Sequence, residues 1–352
     1  MSKHRIGLVA TGGIARSHIR SYRLVLAERA EVVAACDPNP ETLHRFCDTY
    51  GIAARYATAK EMIGSGGVDV IAVLTPPVVR REVLLPAFEA GVHVLVEKPF
   101  TESLADAVEF VQRAENAGVQ LAVNQNMRFL PEIDALRAVL AEGWMGRVHL
   151  CAHDHFQRRT TVDGWRAREE RLEIAIFSIH ILDRLRWLLG VKPLAVSAVT
   201  RAGTPPLVEG DLPRGEMFTQ LTVQFEGGAV GTMISSWLSR GLPECRIRVD
   251  GDGGSLLAVK PSWAAPTVAL SIFREGCEPE ERTVTVESAS LRSYGRSMGA
   301  LLDAIESGEP AVNSGRDNLH TMEIVDGAYL SAARGGALVR VADLLDSAGQ
   351  TG

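Results

Sequence analysis

The sequence contains few cysteines, and their spacing excludes the sites that cysteines usually build. The five are spread along the chain as Cys36, Cys47, Cys151, Cys245 and Cys277. An odd, scattered set with no Cys-x-x-Cys pair argues against a disulfide framework and against a cysteine-rich zinc site. Unpaired thiols are typical of a reducing compartment, so we expect a cytoplasmic protein.

Long apolar runs and an excess of positive charge are also missing. No apolar stretch approaches the ~20 residues that a membrane helix needs. The stretch after Arg5 breaks at Gly12-Gly13, which is too early for a signal peptide. The net charge is -6, and Lys and Arg do not cluster, so we expect neither a membrane nor a nucleic acid as partner.

The 352 residues, of which 46% are hydrophobic, are enough for two domains. In the first third of the chain, short apolar runs alternate with helical stretches. The predicted strands are Ile6–Ala10, Glu31–Cys36, Val68–Leu74, His93–Val96 and Gln120–Asn124. Strict alternation of strand and helix predicts a parallel, doubly wound α/β sheet, which is a Rossmann domain over residues 1–124.

Beyond Asn124 the pattern changes to alternating strands, and Glu226-Gly227-Gly228 has the composition of a hairpin turn. A long helix is predicted over Glu169–Leu189, ending at Gly190. We expect an α+β domain over residues 125–352, with an open-faced, predominantly antiparallel sheet that serves substrate binding and oligomerisation. The strands from Met217 to Trp237 are the expected interface of a homodimer or homotetramer, because a broad apolar sheet face would otherwise meet water.

The segment Thr11-Gly12-Gly13-Ile14-Ala15 lies between the first predicted strand and the first helix. A dinucleotide-binding fold has its phosphate-binding turn at this place. Gly12 would admit the pyrophosphate, Ala15 would allow close packing, and the helix N-terminus would offer free N–H groups. Ala10 stands where the first glycine is usual, so the fingerprint is imperfect. Many glycine turns bind nothing, but the order of strand, turn and helix favours a cofactor site.

Asp37 ends the second predicted strand, about 20 residues beyond the glycine turn. An acid at this place binds the ribose hydroxyls of NAD and repels the 2′-phosphate of NADP. NAD is therefore the expected cofactor, with NADP less favoured. The alternative is a loop aspartate that caps the following helix.

Glu97-Lys98-Pro99 follows the fourth predicted strand, at the edge where open α/β sheets bind ligands. Lys98 could hold a substrate hydroxyl and favour the loss of its proton, and Pro99 restricts Lys98 to extended geometry. By composition alone, a surface lysine in a turn is the simpler interpretation.

Together with Thr75-Pro76-Pro77 and Asn126-Met127-Arg128-Phe129, these segments resemble the Gfo/Idh/MocA family of glucose–fructose oxidoreductases and inositol dehydrogenases. The resemblance covers nearly the whole chain. It implies an NAD(P)-dependent oxidoreductase that transfers hydride between nicotinamide and a secondary alcohol of a sugar, cyclitol or sugar acid. It also implies that Lys98 contacts both substrate and cofactor. Thr75, Pro76, Pro77, Glu97 and Asn126 would border the cofactor. Arg128 would lie near the substrate, or would serve as a structural ion-pair partner.

The resemblance further implies a catalytic histidine, His180, in the predicted long helix. The family motif reads Asp-x-Gly-x-His-x-x-Asp, and here Ile176 replaces the first aspartate. At helical spacing Glu173 and Asp183 share a face with His180, so either could replace the lost carboxylate, Asp183 as a helper only. Without the resemblance, a histidine in an apolar helix is more often a packed core residue.

His155, at a strand end, and Trp165, in a loop, are the remaining candidates for substrate binding, and both also fit ordinary structural roles. The pattern of His153, His155 and His180 is too weak to predict a metal site, so no metal is expected. Two other functions stay open. One is a glycoside-cleaving or epimerising enzyme that uses NAD transiently. The other is a non-catalytic cofactor-binding protein, which the residues Ile176 and Ala10 would suit.

Overall fold

The computed structural model describes residues 3–159, 162, 164–203, 213–262 and 265–349. The chain forms two compact units. The first unit comprises Met1–Phe129, Ser288–Leu319 and Ala348–Gly352, and the second comprises Leu130–Glu287 and His320–Ser347. The first unit thus includes a segment near the C-terminus, whereas the division expected from the sequence is contiguous.

The first unit contains a six-stranded parallel sheet. Its strands are β1 (His4–Val9), β2 (Ala30–Cys36), β3 (Ala54–Tyr56), β4 (Val70–Val73), β5 (His93–Val96) and β6 (Leu121–Val123). They lie in the order β3-β2-β1-β4-β5-β6, and every neighbouring pair is parallel. All residues of β4 are buried, as in a sheet that helices cover on both faces. The predicted doubly wound Rossmann sheet is confirmed. Strand β3 was not predicted, because its three half-buried residues form no apolar run.

The helices occur in both units. They are α1 (Gly13–Val25), α2 (Pro40–Tyr50), α3 (Ala59–Gly64), α4 (Arg81–Glu89), α5 (Leu104–Asn116), α6 (Pro131–Ala141), α7 (Ile179–Leu189), α8 (Ala289–Ser307), α9 (Gly315–Ala333) and α10 (Ala342–Gly349). Side chains cap three of the helices in the first unit: Asn39 caps α2, Thr58 caps α3 and Ser103 caps α5. Each accepts a hydrogen bond from a first-turn amide, which fixes where the helix begins.

Helix α8 completes the core of the first unit. Its residues Met298 and Leu301 belong to the same apolar cluster as Ile19 of α1. The backbone N–H of Gly295 donates to the Ser21 hydroxyl over 2.6 Å. A Cβ at Gly295 would lie 2.7 Å from the Cβ of Val25, so only glycine permits this close approach of α8 to α1.

The second unit contains a nine-stranded mixed sheet. Its strands are β7 (Val148–Phe156), β8 (Pro193–Ala202), β9 (Glu216–Phe225), β10 (Val230–Ser236), β11 (Glu244–Gly251), β12 (Gly254–Lys260), β13 (Thr267–Arg274), β14 (Glu280–Thr285) and β15 (Val339–Arg340). The order is β14-β13-β12-β11-β7-β10-β9-β8-β15. Strands β7 and β10 are parallel, and the other neighbouring pairs are antiparallel. The predominantly antiparallel sheet is confirmed, including the hairpin at Glu226-Gly227-Gly228.

The exposed side of β9 is polar. Alternate residues of this strand, among them Met217 and Leu221, are buried, whereas Gln220, Thr222 and Gln224 are exposed. The broad apolar surface expected over Met217 to Trp237 is therefore not found on β9. The homodimer or homotetramer stays a prediction.

Candidate active site

The turn between β1 and α1 has the backbone of a dinucleotide-binding turn. Ala10 has a φ of +75°, in the left-handed region that favours glycine. It therefore adopts a conformation that glycine would take more readily. Gly12 precedes α1, and Ala15 is fully buried in its first turn. The segment Thr11-Gly12-Gly13-Ile14-Ala15 joins strand to helix where the sequence indicates, and its binding role stays a prediction.

The N-terminus of α1 is open. In the part of the chain that the structure describes, no side chain accepts a hydrogen bond from its first turn. Apart from chain neighbours, no heavy atom of the described residues lies within 4 Å of the place that a Cβ would take on Gly12 or Gly13. Uncapped N–H groups, the positive helix dipole and the open space over two glycines fit the pyrophosphate of a dinucleotide.

Asp37 follows β2, and the glycine turn and the next loop hold its carboxylate. The backbone N–H and the hydroxyl of Thr11 donate to Oδ2 over 2.9 and 3.0 Å. The backbone N–H of Asn39 donates to Oδ1 over 2.9 Å. Because a carboxylate has about four acceptor sites, Asp37 can also accept the ribose hydroxyls of a cofactor. Asn39, and not Asp37, caps α2, so the alternative interpretation of Asp37 as the helix cap is not realised.

Thr75-Pro76-Pro77 follows β4, and a buried arginine joins it to the Lys98 segment. Arg80 donates to the Thr75 carbonyl from Nε over 3.2 Å and from Nη2 over 2.7 Å. Its Nη1 donates to the carbonyls of Pro99 and Phe100. Burial lowers the pKa of Arg80 to about 9. The Thr75 hydroxyl is buried and has no hydrogen-bond partner among the described residues, so a polar group is left for a ligand at this edge.

Glu97 anchors the Glu97-Lys98-Pro99 segment at the carboxyl end of β5. Its Oε1 accepts hydrogen bonds from His18 Nε2 over 2.7 Å and from Asn124 Nδ2 over 2.6 Å. Its Oε2 accepts from the backbone N–H of Lys98 over 3.1 Å. Lys98 is half-buried, and the peptide bond between it and Pro99 is cis. Three hydrogen-bond donors thus fix the carboxylate of Glu97, the residue that precedes Lys98.

Asn126 and Arg128 follow β6 in a short 3-10 helix, and both are buried. The Asn126 amide donates to the Ser293 hydroxyl over 2.7 Å. Arg128 donates to the Val312 carbonyl over 2.6 Å and forms an ion pair with Asp317. The structural ion pair considered for Arg128 is therefore present. The roles of Asn126 toward cofactor and of Arg128 toward substrate stay predictions.

In the second unit, the helix predicted over Glu169–Leu189 is divided. The residues Glu173–Ser178 form a π-helix, after which α7 continues to Leu189 and ends at Gly190 with a φ of +69°. A continuous α-helix from Glu169 was the wrong prediction. The Ser178 hydroxyl donates over 2.5 Å to Glu173, five positions earlier, which matches the wider π turn.

Glu173 is fully buried in a cluster of hydroxyl groups. Besides Ser178, the hydroxyls of Thr219 and Ser235 donate to it over 2.8 and 2.5 Å. Burial raises the pKa of Glu173 to about 7, and the charge of Glu216 adds to this effect, although the three hydrogen bonds oppose it. At neutral pH this carboxyl group therefore lies between its protonated and ionised forms.

His180 lies in the first turn of α7 and is 4% exposed. Ile176, at the position of the family aspartate, packs with Leu172, Met217 and Trp237 in an apolar cluster. These surroundings explain why an apolar residue is stable at this position, since a buried carboxylate would need polar partners.

Asp183 is buried one turn beyond His180. It accepts a hydrogen bond from the Thr321 hydroxyl over 3.1 Å and lies 3.9 Å from Nη1 of Arg186. These contacts join α7 to α9 and suit a structural role. Its role as a helper of His180 stays a prediction.

His155 belongs to a polar row on the buried face of the second sheet. Strand pairing places the following residues side by side: Lys260, Cys245, His155, Ser235 and Thr219. The His155 ring lies 4.6 Å from that of Phe177. Burial lowers the pKa of His155 to about 3, and the charges of Arg184 and Arg159 add to this, so it is neutral at physiological pH. Trp165 falls in the 3-10 helix Gly164–Arg168, and its side chain lies outside the described part of the structure.

Comparison with known proteins decides the family. Residues 4–125 match the model of an oxidoreductase family with an NAD-binding Rossmann fold, and residues 133–257 match the GFO/IDH/MocA C-terminal domain. The chain belongs to the Gfo/Idh/MocA family. It is thus a member of a family of NAD(P)-dependent sugar and polyol oxidoreductases, with an NAD(H)-binding Rossmann domain.

Relatives within the family match along nearly the whole chain. D-apiose dehydrogenase from Paraburkholderia graminis is 30% identical, with 93% of this chain and 87% of the relative covered. 1,5-Anhydro-D-fructose reductase from Ensifer adhaerens is 28% identical, with 95% and 98% covered. A crystal structure of an oxidoreductase from Agrobacterium radiobacter in complex with NAD+, L-tartaric acid and magnesium superposes with a TM-score of 0.86 at 25% identity, with 98% and 100% covered.

Three residues that contact the predicted site segments were not found from the sequence: His18, Arg80 and Asn124. In the sequence, His18 resembles any polar residue of an amphipathic helix, and Arg80 resembles any charged residue of a loop. Asn124 ends the last predicted strand of the Rossmann domain, the only signal that could have indicated it. All three are buried and polar, a property that the sequence pattern does not reveal.

Metal clusters and membrane spans are both absent from the described residues. Among them, no group of three or more His, Cys, Asp or Glu side chains is arranged to hold a metal ion. No helix in the same part of the chain is long and apolar enough to cross a membrane. All five cysteines are free thiols, and only Cys277 is exposed.

Proposed function

We propose that this protein is an NAD-dependent dehydrogenase that oxidises a secondary alcohol of a sugar, cyclitol or sugar acid. The observation that carries the proposal is the fixed Glu97-Lys98-Pro99 segment at the carboxyl end of β5. This segment follows β5, whereas α1 follows β1 and Asp37 follows β2 of the same parallel sheet. Ligands of such sheets bind at the carboxyl ends of the strands.

The cofactor would be held by residues of the first unit. The amides around Gly12 and Gly13 would bind the pyrophosphate, and Asp37 would accept the ribose hydroxyls. The unpartnered Thr75 hydroxyl and the buried Asn124 Oδ1, which also lacks a partner among the described residues, offer further polar contacts. When bound, NAD supplies the acceptor for the hydride that leaves the alcohol carbon.

NAD is proposed over NADP because of Asp37. The carboxylate is fixed by Thr11 and Asn39 and so cannot easily turn away from a 2′-phosphate. Repulsion between two anions in a partly desolvated site would disfavour NADP.

Lys98 would hold the reacting hydroxyl of the substrate. Its ammonium group donates hydrogen bonds and favours the developing negative charge on oxygen. The fixed neighbour Glu97 and the clamp of Arg80 on Pro99 would hold the lysine backbone in one place, so that less freedom is lost on binding.

His180 would accept the proton of the same hydroxyl, since an imidazole suits proton exchange near neutral pH. Ile176 cannot supply the carboxylate that orients such a histidine, so Glu173 or Asp183 would take this role. Both carboxyl groups already accept hydrogen bonds, Glu173 from three hydroxyls and Asp183 from Thr321, so variants at both positions are needed to decide between them.

An absorbance assay for NADH tests the proposal. Purified protein is supplied with NAD and a panel of sugars, inositols and aldonic acids that includes D-apiose, and 1,5-anhydro-D-fructose is tested in the reducing direction. Wild type is compared with Lys98→Met and with Lys60→Met, which changes an exposed lysine on α3. We expect turnover in wild type and Lys60→Met and its loss in Lys98→Met. Equal turnover in all three proteins would contradict the proposed catalytic role of Lys98. No turnover on any substrate would favour a non-catalytic cofactor-binding protein.

A further inference from the structure

A buried histidine on α1 contacts the residue next to Lys98. His18 is 0% exposed, and its Nε2 lies 2.7 Å from Oε1 of Glu97, which is itself 7% exposed. On the other side of the ring, Nδ1 lies 2.7 Å from the Tyr22 hydroxyl. The ring also packs edge-on against Tyr22 and tilted against Tyr294 of α8. The imidazole is thus held on both nitrogens and on its faces.

The partners determine which nitrogen bears a proton. An ionised carboxylate only accepts hydrogen bonds, so Nε2 of His18 must be protonated and donate to Glu97. Burial alone would raise the pKa of Glu97. The hydrogen bond and charge of His18, followed by the charge of Lys98 and the hydrogen bond from Asn124, lower this pKa below its usual range. The interaction is reciprocal, so a fixed negative charge on Glu97 also favours the protonated form of Lys98.

We propose that His18 is a positioning residue that keeps Glu97 ionised and fixed, and through it sets the charge and place of Lys98. The titratable groups that face Glu97 are His18 and Tyr22 of α1, Lys98 after β5, Arg80 before α4 and Tyr294 of α8. His18 contacts the Glu97 carboxylate directly through its side chain. The kinetic part of this proposal rests on the proposed function, but the effect on Lys98 does not.

The reactivity of Lys98 tests the inference without a substrate. Protein is trace-labelled with acetic anhydride over a pH series, and acetylation of the peptide containing Lys98 is quantified by mass spectrometry against Lys60. In His18→Leu the pKa of Glu97 should rise, so that its carboxylate stabilises the ammonium form of Lys98 less. Because the neutral amine is the form that reacts, we expect Lys98 to be acetylated about tenfold faster at neutral pH, which corresponds to a decrease of one pKa unit. His18→Gln, whose amide can still donate to Glu97 but bears no charge, should fall between the two.

A substitution of another buried residue of α1 shows whether a general loss of packing, rather than the loss of the His18–Glu97 contact, changes the labelling of Lys98. Ser21→Ala removes the hydroxyl that accepts from Gly295 and does not touch Glu97. It should lower the free energy of unfolding, yet leave the labelling of Lys98 as in wild type. Labelling profiles of His18→Leu and His18→Gln that coincide with wild type would overturn the inference. If His18→Leu does not fold, His18→Gln decides alone.

Kinetics add a second measurement once a substrate is known. His18→Leu should lower kcat by about ten- to a hundredfold, as expected for a displaced catalytic group, with a smaller effect on KM. The acidic limb of the pH profile should move to higher pH, because Glu97 would then protonate at higher pH. If no substrate is turned over, the proposed function fails, while the labelling result still decides the role of His18.

Discussion

The backbone amide and the hydroxyl of Thr11 both donate to the same oxygen of Asp37. The turn that would bind the pyrophosphate and the acid that would bind the ribose are therefore fixed to each other. A change at Asp37 should affect both the affinity for NAD and the selection against NADP.

Asp37→Ala should weaken NAD binding by about ten- to a hundredfold, since a hydrogen bond to a charged group contributes about 1.5–3 kcal/mol. NADP binding should change little or improve, because the repelling charge is gone. Titration with both cofactors, followed by calorimetry, measures the ratio. Asp48→Ala, at an exposed acid that pairs with Arg55, is the control. Equal affinity of wild type for NAD and NADP would contradict the prediction.

Ala10→Gly should stabilise the protein. A non-glycine residue in the left-handed region costs about 1–2 kcal/mol, and the greater freedom of glycine in the unfolded chain offsets part of this gain. We expect the free energy of unfolding to rise by up to about 1 kcal/mol in chemical denaturation. Ala15→Gly in the first turn of α1 should lower it by about 1 kcal/mol. A loss of stability in Ala10→Gly would show that the alanine is not strained.

Arg80 and Arg81 are adjacent arginines with different surroundings. Arg80→Met would leave the carbonyls of Thr75, Pro99 and Phe100 without their buried donor, so we expect a loss of about 3 kcal/mol or more. Arg81 is 46% exposed and pairs with Asp106 and Glu109, so Arg81→Met should cost at most about 1 kcal/mol. Denaturant unfolding of the two variants measures the difference, and equal losses would argue against the clamp.

Glu173 should make stability depend on pH. Burial raises its pKa from 4.5 to about 7 in the folded protein, so the folded state binds more protons than the unfolded state between these values. Stability contributed by this group is therefore full below pH 4.5 and falls as pH rises to about 7, by the order of 3 kcal/mol. Glu173→Gln should remove this decline.

The comparison is made by denaturant unfolding at several pH values. Glu170→Gln, at an exposed position before the π-helix, should keep the dependence of wild type. If the stability curve of Glu173→Gln ran parallel to that of wild type, the buried carboxyl group would not titrate in this range.

The Rossmann sheet and its edge could be predicted from the sequence. Apolar runs separated by helical stretches determine a parallel sheet, and segments that follow these runs must lie at the carboxyl ends of the strands. Thr11-Gly12-Gly13, Asp37 and Glu97-Lys98-Pro99 could thus be placed on one edge. The contact of Glu97 with His18 could not be predicted, because His18 lies 79 residues earlier in the chain.

The surroundings of His180 were harder to predict for a different reason. A helix-face argument assumes 3.6 residues per turn, and the π-helix Glu173–Ser178 does not have this spacing. Glu173 therefore meets Ser178 and two hydroxyls from β9 and β10, which strand pairing across the sheet brings together. The sequence contains no local sign of such a cluster.

Helix α8 has a consequence for synthesis on the ribosome. The apolar cluster around Ile6 and Ile19 includes Met298, Leu301 and Leu302, which are translated long after residues 1–129. The nucleotide-binding half therefore cannot close its core when residues 1–129 emerge. The face of α1 that packs on α8 stays uncovered until the residues of α8 have also been made.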